Sequence, residues 1–192
     1  MRYPSVMKAR HLFHNHVVAA LLLLLTCFAP QAGRAADLDS LFAQLKEADA
    51  PEAARLEREI WNEWSKSGSP AMDLLLKRGR DAMAAGDTQA AIEHLTALTD
   101  HAPDFAEGWN ARATAYFQAG ELGPSVNDIA KTLTLNPRHF GALSGLGMIF
   151  EQLDQPEKAL EAYKAALAIH PHLQGVIEAV ERLEAETAGT DL

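Results

Sequence analysis

The sequence predicts an all-α protein built as a solenoid of stacked helix pairs. The prediction depends on a 34-residue period, on apolar residues at helical spacing within each period, and on turn-forming residues between the helices. Five positions within the period carry similar residues in all three copies, which chance explains poorly. These positions are Leu75, Trp109 and Leu143; Gly79, Ala113 and Gly147; Ala82, Tyr116 and Phe150; Leu95, Ile129 and Tyr163; and Pro103, Pro137 and Pro171.

Residues 1–36 have the composition of a secretory signal peptide. Basic residues precede an uncharged apolar run of 13 residues, and small residues follow near Ala35 and Ala36. A membrane-spanning helix needs about 20 apolar residues, so the run is short for a retained N-terminal anchor. Cleavage after Ala35 or Ala36 is expected, and it would remove Cys27, the single cysteine. Thr26 stands where a bacterial lipoprotein signal has a small residue such as Gly, Ala or Ser, which disfavours lipidation.

The charge that remains after this segment disfavours nucleic acid and anionic lipid as partners. Four of the 17 basic residues precede Asp37 and none of the 26 acidic residues does, so 13 basic and 26 acidic residues remain, a formal net charge of −13. Nucleic acid and anionic lipid surfaces bind basic patches. The export signal therefore predicts a periplasmic protein with no stable membrane insertion after cleavage. Without cysteine, its stability must come from packed apolar helix faces.

The remaining chain is expected to contain a hairpin, three repeats and a terminal helix. Two short amphipathic stripes predict an N-terminal helical hairpin, which could be a degenerate repeat that caps the open end of the solenoid. Trp61 and Trp64 share one face of its second helix, where they would either bury against the first repeat or form a docking surface. The predicted boundaries are 37–71 for the hairpin, 72–105, 106–139 and 140–173 for the repeats, and 174–192 for the capping helix and tail.

Each predicted repeat consists of two helices separated by residues that interrupt a helix. In the third repeat, Leu143, Leu146, Gly147 and Phe150 recur at i, i+3, i+4 and i+7, which places them on one stripe of the first helix. The missing side chain at Gly147 would let the second helix, with Tyr163, approach closely. We therefore expect position 147 to tolerate nothing larger than alanine. The predicted breaks are Gly86-Asp87, Gly120 and Asp154-Gln155-Pro156.

These residues resemble the tetratricopeptide repeat (TPR) family, whose units are helix-turn-helix pairs stacked into a right-handed superhelix. The resemblance covers three units of 34 residues, and the third matches best. Arg78 and Arg112 stand where the family usually has leucine, and Ser125 stands where it has a small alanine. These departures predict looser packing in the first two repeats within the same fold.

No motif in the sequence requires a chemical reaction. It has no Gly-rich phosphate loop, nucleophile elbow, CxxC pair or HExxH motif. His170 and His172 flank Pro171 in a predicted turn, where they lack a third metal ligand and are interpreted as surface or turn histidines. We therefore expect a protein that is not an enzyme, with no catalytic residues, no cofactor and no metal.

The resemblance implies a partner site in the concave groove that the first helices of TPR pairs line. Asn110 could hold a peptide backbone, Arg80 could pair with a carboxylate, and Phe117 could make apolar contacts together with two methionines. The alternative is that Phe117 and the methionines belong to the core. The nine groove residues that the family pattern nominates are Leu76, Arg80, Met83, Asn110, Thr114, Phe117, Ser144, Met148 and Glu151.

The sequence departs from the TPR groove type that clamps the C-terminal carboxylates of chaperones. Leu76 and Arg80 stand where that type has a lysine and an asparagine, and Gly141 and Gly145 replace a basic pair. Chaperone-tail binding is therefore not implied.

Repeats combined with export favour a periplasmic adaptor that binds a protein or peptide segment of another cell-envelope component and assists an envelope assembly. The alternative is a structural scaffold that associates with itself through exposed apolar residues such as Trp61 and Trp64.

Overall fold

The computed structural model describes the backbone of residues 32–190 and the side chains of residues 38–186. Contacts divide the chain into residues 1–39 and residues 40–192. Of residues 1–39 the structure describes only 32–39, which are helical. Cys27 and the predicted apolar run lie outside the described residues. Within the described part the secondary structure is helical without strands, and no helix has the length and hydropathy to cross a membrane. Its helices are α1 (Ala32–Glu47), α2 (Ala50–Trp64), α3 (Pro70–Ala84), α4 (Thr88–His101), α5 (Ala106–Gln118), α6 (Leu122–Leu135), α7 (Phe140–Gln152), α8 (Pro156–Ile169) and α9 (Gln174–Thr190).

The helices pack as the repeat pattern predicts. Helix α3 pairs with α4, α5 with α6 and α7 with α8, and α9 covers α8. Val176 and Leu183 of α9 are buried against Ala159 and Tyr163 of α8. The predicted all-α architecture of three stacked pairs with a C-terminal capping helix is therefore confirmed.

The two helices of a pair approach each other closely, which explains why glycine recurs at positions 79 and 147. A Cβ atom at Gly79 would lie 2.5 Å from Leu95 Cγ, and one at Gly147 would lie 2.5 Å from Tyr163 Cδ1. Real Cβ atoms do not approach carbon so closely, so the second helix can take its position only because these side chains are missing. The expectation that alanine fits at position 147 therefore does not hold, because the Cβ atom of alanine already clashes with the Tyr163 ring.

The turns within the three pairs share one geometry. Gly86 and Gly120 have φ of 78°, and Asp154, at the same phase of the third repeat, has φ of 55°. In each turn the amide after the left-handed residue donates to a carbonyl of the preceding helix, as Gln155 does to Phe150 at 2.9 Å. This arrangement ends a helix by satisfying its last carbonyls, and it favours glycine.

Arg112 does not loosen the second repeat, contrary to the sequence-based expectation. Its Nε lies 2.7 Å from Asp128 Oδ2 and its Nη2 lies 2.9 Å from Oδ1, a bidentate pair between α5 and α6. Nη1 also donates to Thr99 Oγ1 at 2.8 Å, and the guanidinium lies over the Trp109 ring. A paired cation thus replaces the usual leucine and connects α5 to both α4 and α6.

Replacing Gly147 by alanine should destabilise the protein. The added Cβ would overlap the Tyr163 ring, and such overpacking costs about 1–3 kcal/mol. Chemical denaturation followed by far-UV circular dichroism measures the free energy of unfolding. Gly123→Ala is the matched control, because Gly123 is an exposed helical glycine with open space around its missing Cβ. Equal stabilities of the two variants would show that the α7–α8 approach is not set by this glycine.

Candidate functional site

A cavity of about 330 Å³ lies between the first helices of the second and third repeats. Helices α5 and α7 supply most of its lining, and Ser125 and Ile129 of α6 complete it. The cavity therefore lies where the family pattern places the concave groove. Five of the nine predicted groove residues line it: Asn110, Thr114, Phe117, Ser144 and Met148.

The lining is mainly apolar and, within the described residues, carries no charged side chain. Ala113, Ile129 and Ile149 are buried core residues that also line the cavity. Phe117 is half-buried against this core, so it belongs both to the core and to the groove. Met148 is 49% exposed, which makes it a large apolar side chain open to a partner.

Four of the five polar side chains of the lining hydrogen-bond within the molecule, and the fifth, Gln118, is exposed. Ser125 Oγ of α6 donates to the Ala113 carbonyl of α5 at 2.8 Å. Thr114 Oγ1 donates to the Asn110 carbonyl at 3.0 Å, and Ser144 Oγ donates to the Phe140 carbonyl at 2.8 Å. The Asn110 Nδ2 group lies 3.3 and 3.2 Å from the two carboxylate oxygens of Glu107. Asn110 therefore has its carbonyl oxygen, rather than its amide donors, to offer to a peptide backbone.

The structure places the other four predicted groove residues elsewhere. Leu76 is 2% exposed in the core of the first repeat, and Met83 packs against the same core, so the expectation that Leu76 faces the groove is wrong. Arg80 and Glu151 are committed to ion pairs within the molecule. Glu151 accepts a hydrogen bond from the Tyr163 hydroxyl at 2.6 Å and pairs with Arg182 of α9.

A buried carboxylate, which the sequence analysis did not identify, holds the first helices of all three repeats together. Glu107 of α5 is 2% exposed. Its Oε1 lies 2.5 Å from Arg80 Nη2 of α3, and its Oε2 lies 2.9 Å from Nε2 of His139 at the start of α7. Because His139 Nδ1 accepts the Ala142 amide at 3.1 Å, the ring proton must be on Nε2, which donates to Glu107. Arg80 is thus paired with Glu107 within the molecule, although its side chain is 39% exposed.

The second helix of the N-terminal hairpin packs on the third repeat. The Trp64 ring stacks on His139 with centroids 4.3 Å apart, and Trp61 packs edge-on against Phe140 at 5.6 Å. A Cβ at Gly141 would lie 2.7 Å from Trp61 Cη2, so this glycine makes room for the indole. Of the two alternatives for the tryptophans, burial against the first repeat is wrong, because their contacts lie in the third repeat.

His170 is also part of this contact and is not a surface histidine. It is 1% exposed, its ring packs edge-on against Phe140 at 4.9 Å, and its Nε2 lies 3.3 Å from Glu57 Oε2 of α2. Burial lowers the pKa of His170, although the neighbouring Glu57 carboxylate opposes this effect. His172 donates its amide to His170 Nδ1 at 3.3 Å. Among the described residues no group of three His, Cys, Asp or Glu side chains is arranged to hold a metal ion.

Stability should fall on acidification because of His170. Its folded-state pKa lies below the usual 6.5, so below about pH 6.5 the unfolded chain binds more protons than the folded one. The free energy of unfolding should therefore decrease from pH 7 to pH 5.5, and His170→Asn should reduce that slope. Denaturation series at several pH values measure it, with His101→Asn reporting the effect of replacing an exposed histidine. An unchanged slope in His170→Asn would contradict this account.

Comparisons with known proteins identify the same repeats as the architecture does. TPR family models match residues 76–123 and residues 141–173. A TPR repeat-containing protein of Rhizobium etli is 38% identical over 153 residues, which cover 79% of this chain and 75% of that protein. The small glutamine-rich TPR-containing protein 2 of Saccharomyces cerevisiae is 31% identical over 118 residues, 62% of this chain and 34% of the yeast protein.

Solved structures share the fold at lower identity. The first TPR domain of Spaghetti (RPAP3), bound to the HSP90 peptide SRMEEVD, superposes with a TM-score of 0.60 at 22% identity, covering 62% of this chain and 98% of that one. The crystal structure of MamA superposes with a TM-score of 0.58 at 21% identity, covering 76% of this chain and 83% of that one. TPR domains of this type are typical of adaptors that bind peptide segments of partner proteins, and they are typically non-catalytic. From its repeats, its helix pairs and its relative in Rhizobium etli, we conclude that this chain belongs to the tetratricopeptide repeat family.

Proposed function

We propose that the protein is a non-catalytic periplasmic adaptor that binds a segment of another cell-envelope protein in its concave groove. The observation that carries the proposal is the cavity between α5 and α7, which five predicted groove residues line. Concave sites with an apolar lining and a few polar groups are the usual binding sites of proteins. The signal-like composition of residues 1–36 supports export, and it is the reason for choosing a partner in the envelope.

The chaperone peptide bound to the RPAP3 domain does not fit the chemistry of this groove. That peptide, SRMEEVD, is acidic, whereas here Arg80 is neutralised by Glu107 and glycine occupies positions 141 and 145. We therefore propose a partner other than a chaperone tail.

The alternative of a scaffold that self-associates through the hairpin tryptophans has less support. Trp64 is 8% exposed and stacks on His139, and Trp61 is half-buried against Phe140 and Gly141. Both rings are already used within the molecule, so the structure favours the adaptor.

Photocrosslinking tests the groove directly. A benzophenone amino acid at Thr114 or Met148, both exposed and both at the cavity, should form an adduct with a partner protein in living cells. The same group at Gln89, an exposed position on the second helix of the first repeat, is the control. Adducts from Gln89 but from neither groove position would contradict the proposal.

Filling the cavity should block binding of the crosslinked segment without unfolding the protein. A Cβ at Gly145 would meet only Ile129 Cδ1, at an ordinary 3.8 Å, so Gly145→Leu can extend into the cavity. We expect at least about a tenfold loss of affinity, corresponding to about 1.4 kcal/mol. Gly123→Leu is the matched control at an exposed glycine outside the cavity. Fluorescence anisotropy with the labelled segment measures affinity, and equal values for the two variants would exclude the cavity as its site.

Export predicts a mature protein that begins near Asp37 and leaves the cell on osmotic shock without detergent. N-terminal sequencing of the recovered protein tests the cleavage site. A chain that begins at Met1 would contradict export, and one that begins at Cys27 and needs detergent would indicate a lipoprotein instead.

A further inference from the structure

We propose that the groove selects an uncharged apolar segment, which inserts one large aliphatic or aromatic side chain into the cavity between α5 and α7. This inference rests on the proposed function and specifies the chemistry of its ligand. Its occupant is a partner polypeptide rather than an acidic peptide or a second copy of this chain.

The first argument is that charged groups predicted for the groove are neutralised inside the molecule. Arg80 pairs with the buried Glu107, and Glu151 pairs with Arg182. Glu107 in turn accepts from His139, whose ring is fully buried. A charged ligand residue placed in the cavity would lose water without gaining a counter-charge, and burying an unpaired charge is strongly unfavourable.

The second argument is the fit between the cavity and an apolar side chain. Buried Ala113, Ile129 and Ile149 form part of its lining, and half-buried Phe117 forms another part. Its hydroxyl groups, on Thr114, Ser125 and Ser144, already donate to backbone carbonyls. A large apolar side chain therefore gains burial at this position without displacing any polar contact, while the Asn110 carbonyl can accept a backbone N–H from the same segment.

The third argument is that the same helix already accepts such a side chain from within the chain. Trp61 of α2 rests on Gly141 of α7, and Gly141 also lines the cavity. The α2 contact thus ends where the cavity begins, and a partner segment that fills the cavity extends an existing apolar interface along α7. Met148, 49% exposed, stands farther along this helix and enlarges that surface.

Selection from a random peptide library tests the chemistry while the partner is still unidentified. Phage-displayed 12-residue peptides are selected in parallel on the exported chain from residue 37, on Gly145→Leu and on Gly123→Leu. Peptides that bind wild type and Gly123→Leu but are lost with Gly145→Leu report the cavity. We expect those peptides to lack charged residues around one or two Leu, Ile, Phe or Trp residues.

The outcomes separate the inference from the proposed function. Cavity-dependent peptides rich in Asp, Glu, Lys or Arg would overturn the inference and leave groove binding intact. Selection that yields no peptide sensitive to Gly145→Leu would overturn both.

A defined peptide pair provides a quantitative check. Changing a residue next to the apolar anchor from Ser to Asp, or separately to Lys, should weaken binding at least about tenfold, because each charge enters a site without a counter-charge. The affinity of the parent peptide should change less than about twofold between 0.05 and 0.5 M salt, since screening acts on charge pairs. Tighter binding of either charged peptide, or a steep salt dependence of the parent, would contradict an uncharged site.

Discussion

The close approach of two helices within each repeat is the constraint on which the rest of the structure depends. The missing side chains at Gly79 and Gly147 allow Leu95 and Tyr163 to press against the first helices. This packing buries one face of each first helix and leaves another face uncovered. Where the uncovered faces of α5 and α7 meet, they enclose the cavity. The groove is thus a consequence of pair packing, and its shape depends on residues that do not line it.

Glu107 makes the second essential contribution because it connects α3, α5 and α7 through one carboxylate. Its two oxygens accept from Arg80 and His139, while Asn110 lies beside both. Removing it would leave buried donors without a partner, at a cost of about 1–3 kcal/mol for each neutral donor. The same carboxylate neutralises the positive charge of Arg80. Glu107 therefore both stabilises the stack and lowers the net charge of the groove.

The sequence predicted the fold because helix pairing repeats locally and the 34-residue period records it. Five of the nine residues that the family pattern nominates line the cavity, because the pattern describes which helix positions face inward. Sequence-based prediction failed where contacts join distant segments. Glu107 and His139 are 32 residues apart and Glu57 and His170 are 113 apart, and no periodic signal links such pairs. The sequence did contain one indication of the hairpin contact. Position 141 is glycine, whereas the equivalent positions of the first two repeats are Asp73 and Glu107.

Gly141 explains why the hairpin packs on the third repeat rather than on the first. The amphipathic stripe of α2, with Leu56 and Ile60 buried, fits an additional stacked repeat as well as it fits any other apolar surface. What distinguishes the two arrangements is the receiving surface, since Gly141 provides the space that the Trp61 ring needs on α7. A side chain at position 141 would displace the indole and alter the adjacent cavity at once. The hairpin therefore packs on a helix that lines the cavity, so a change at Trp61 or Trp64 of α2 acts on the start of α7, beside the cavity.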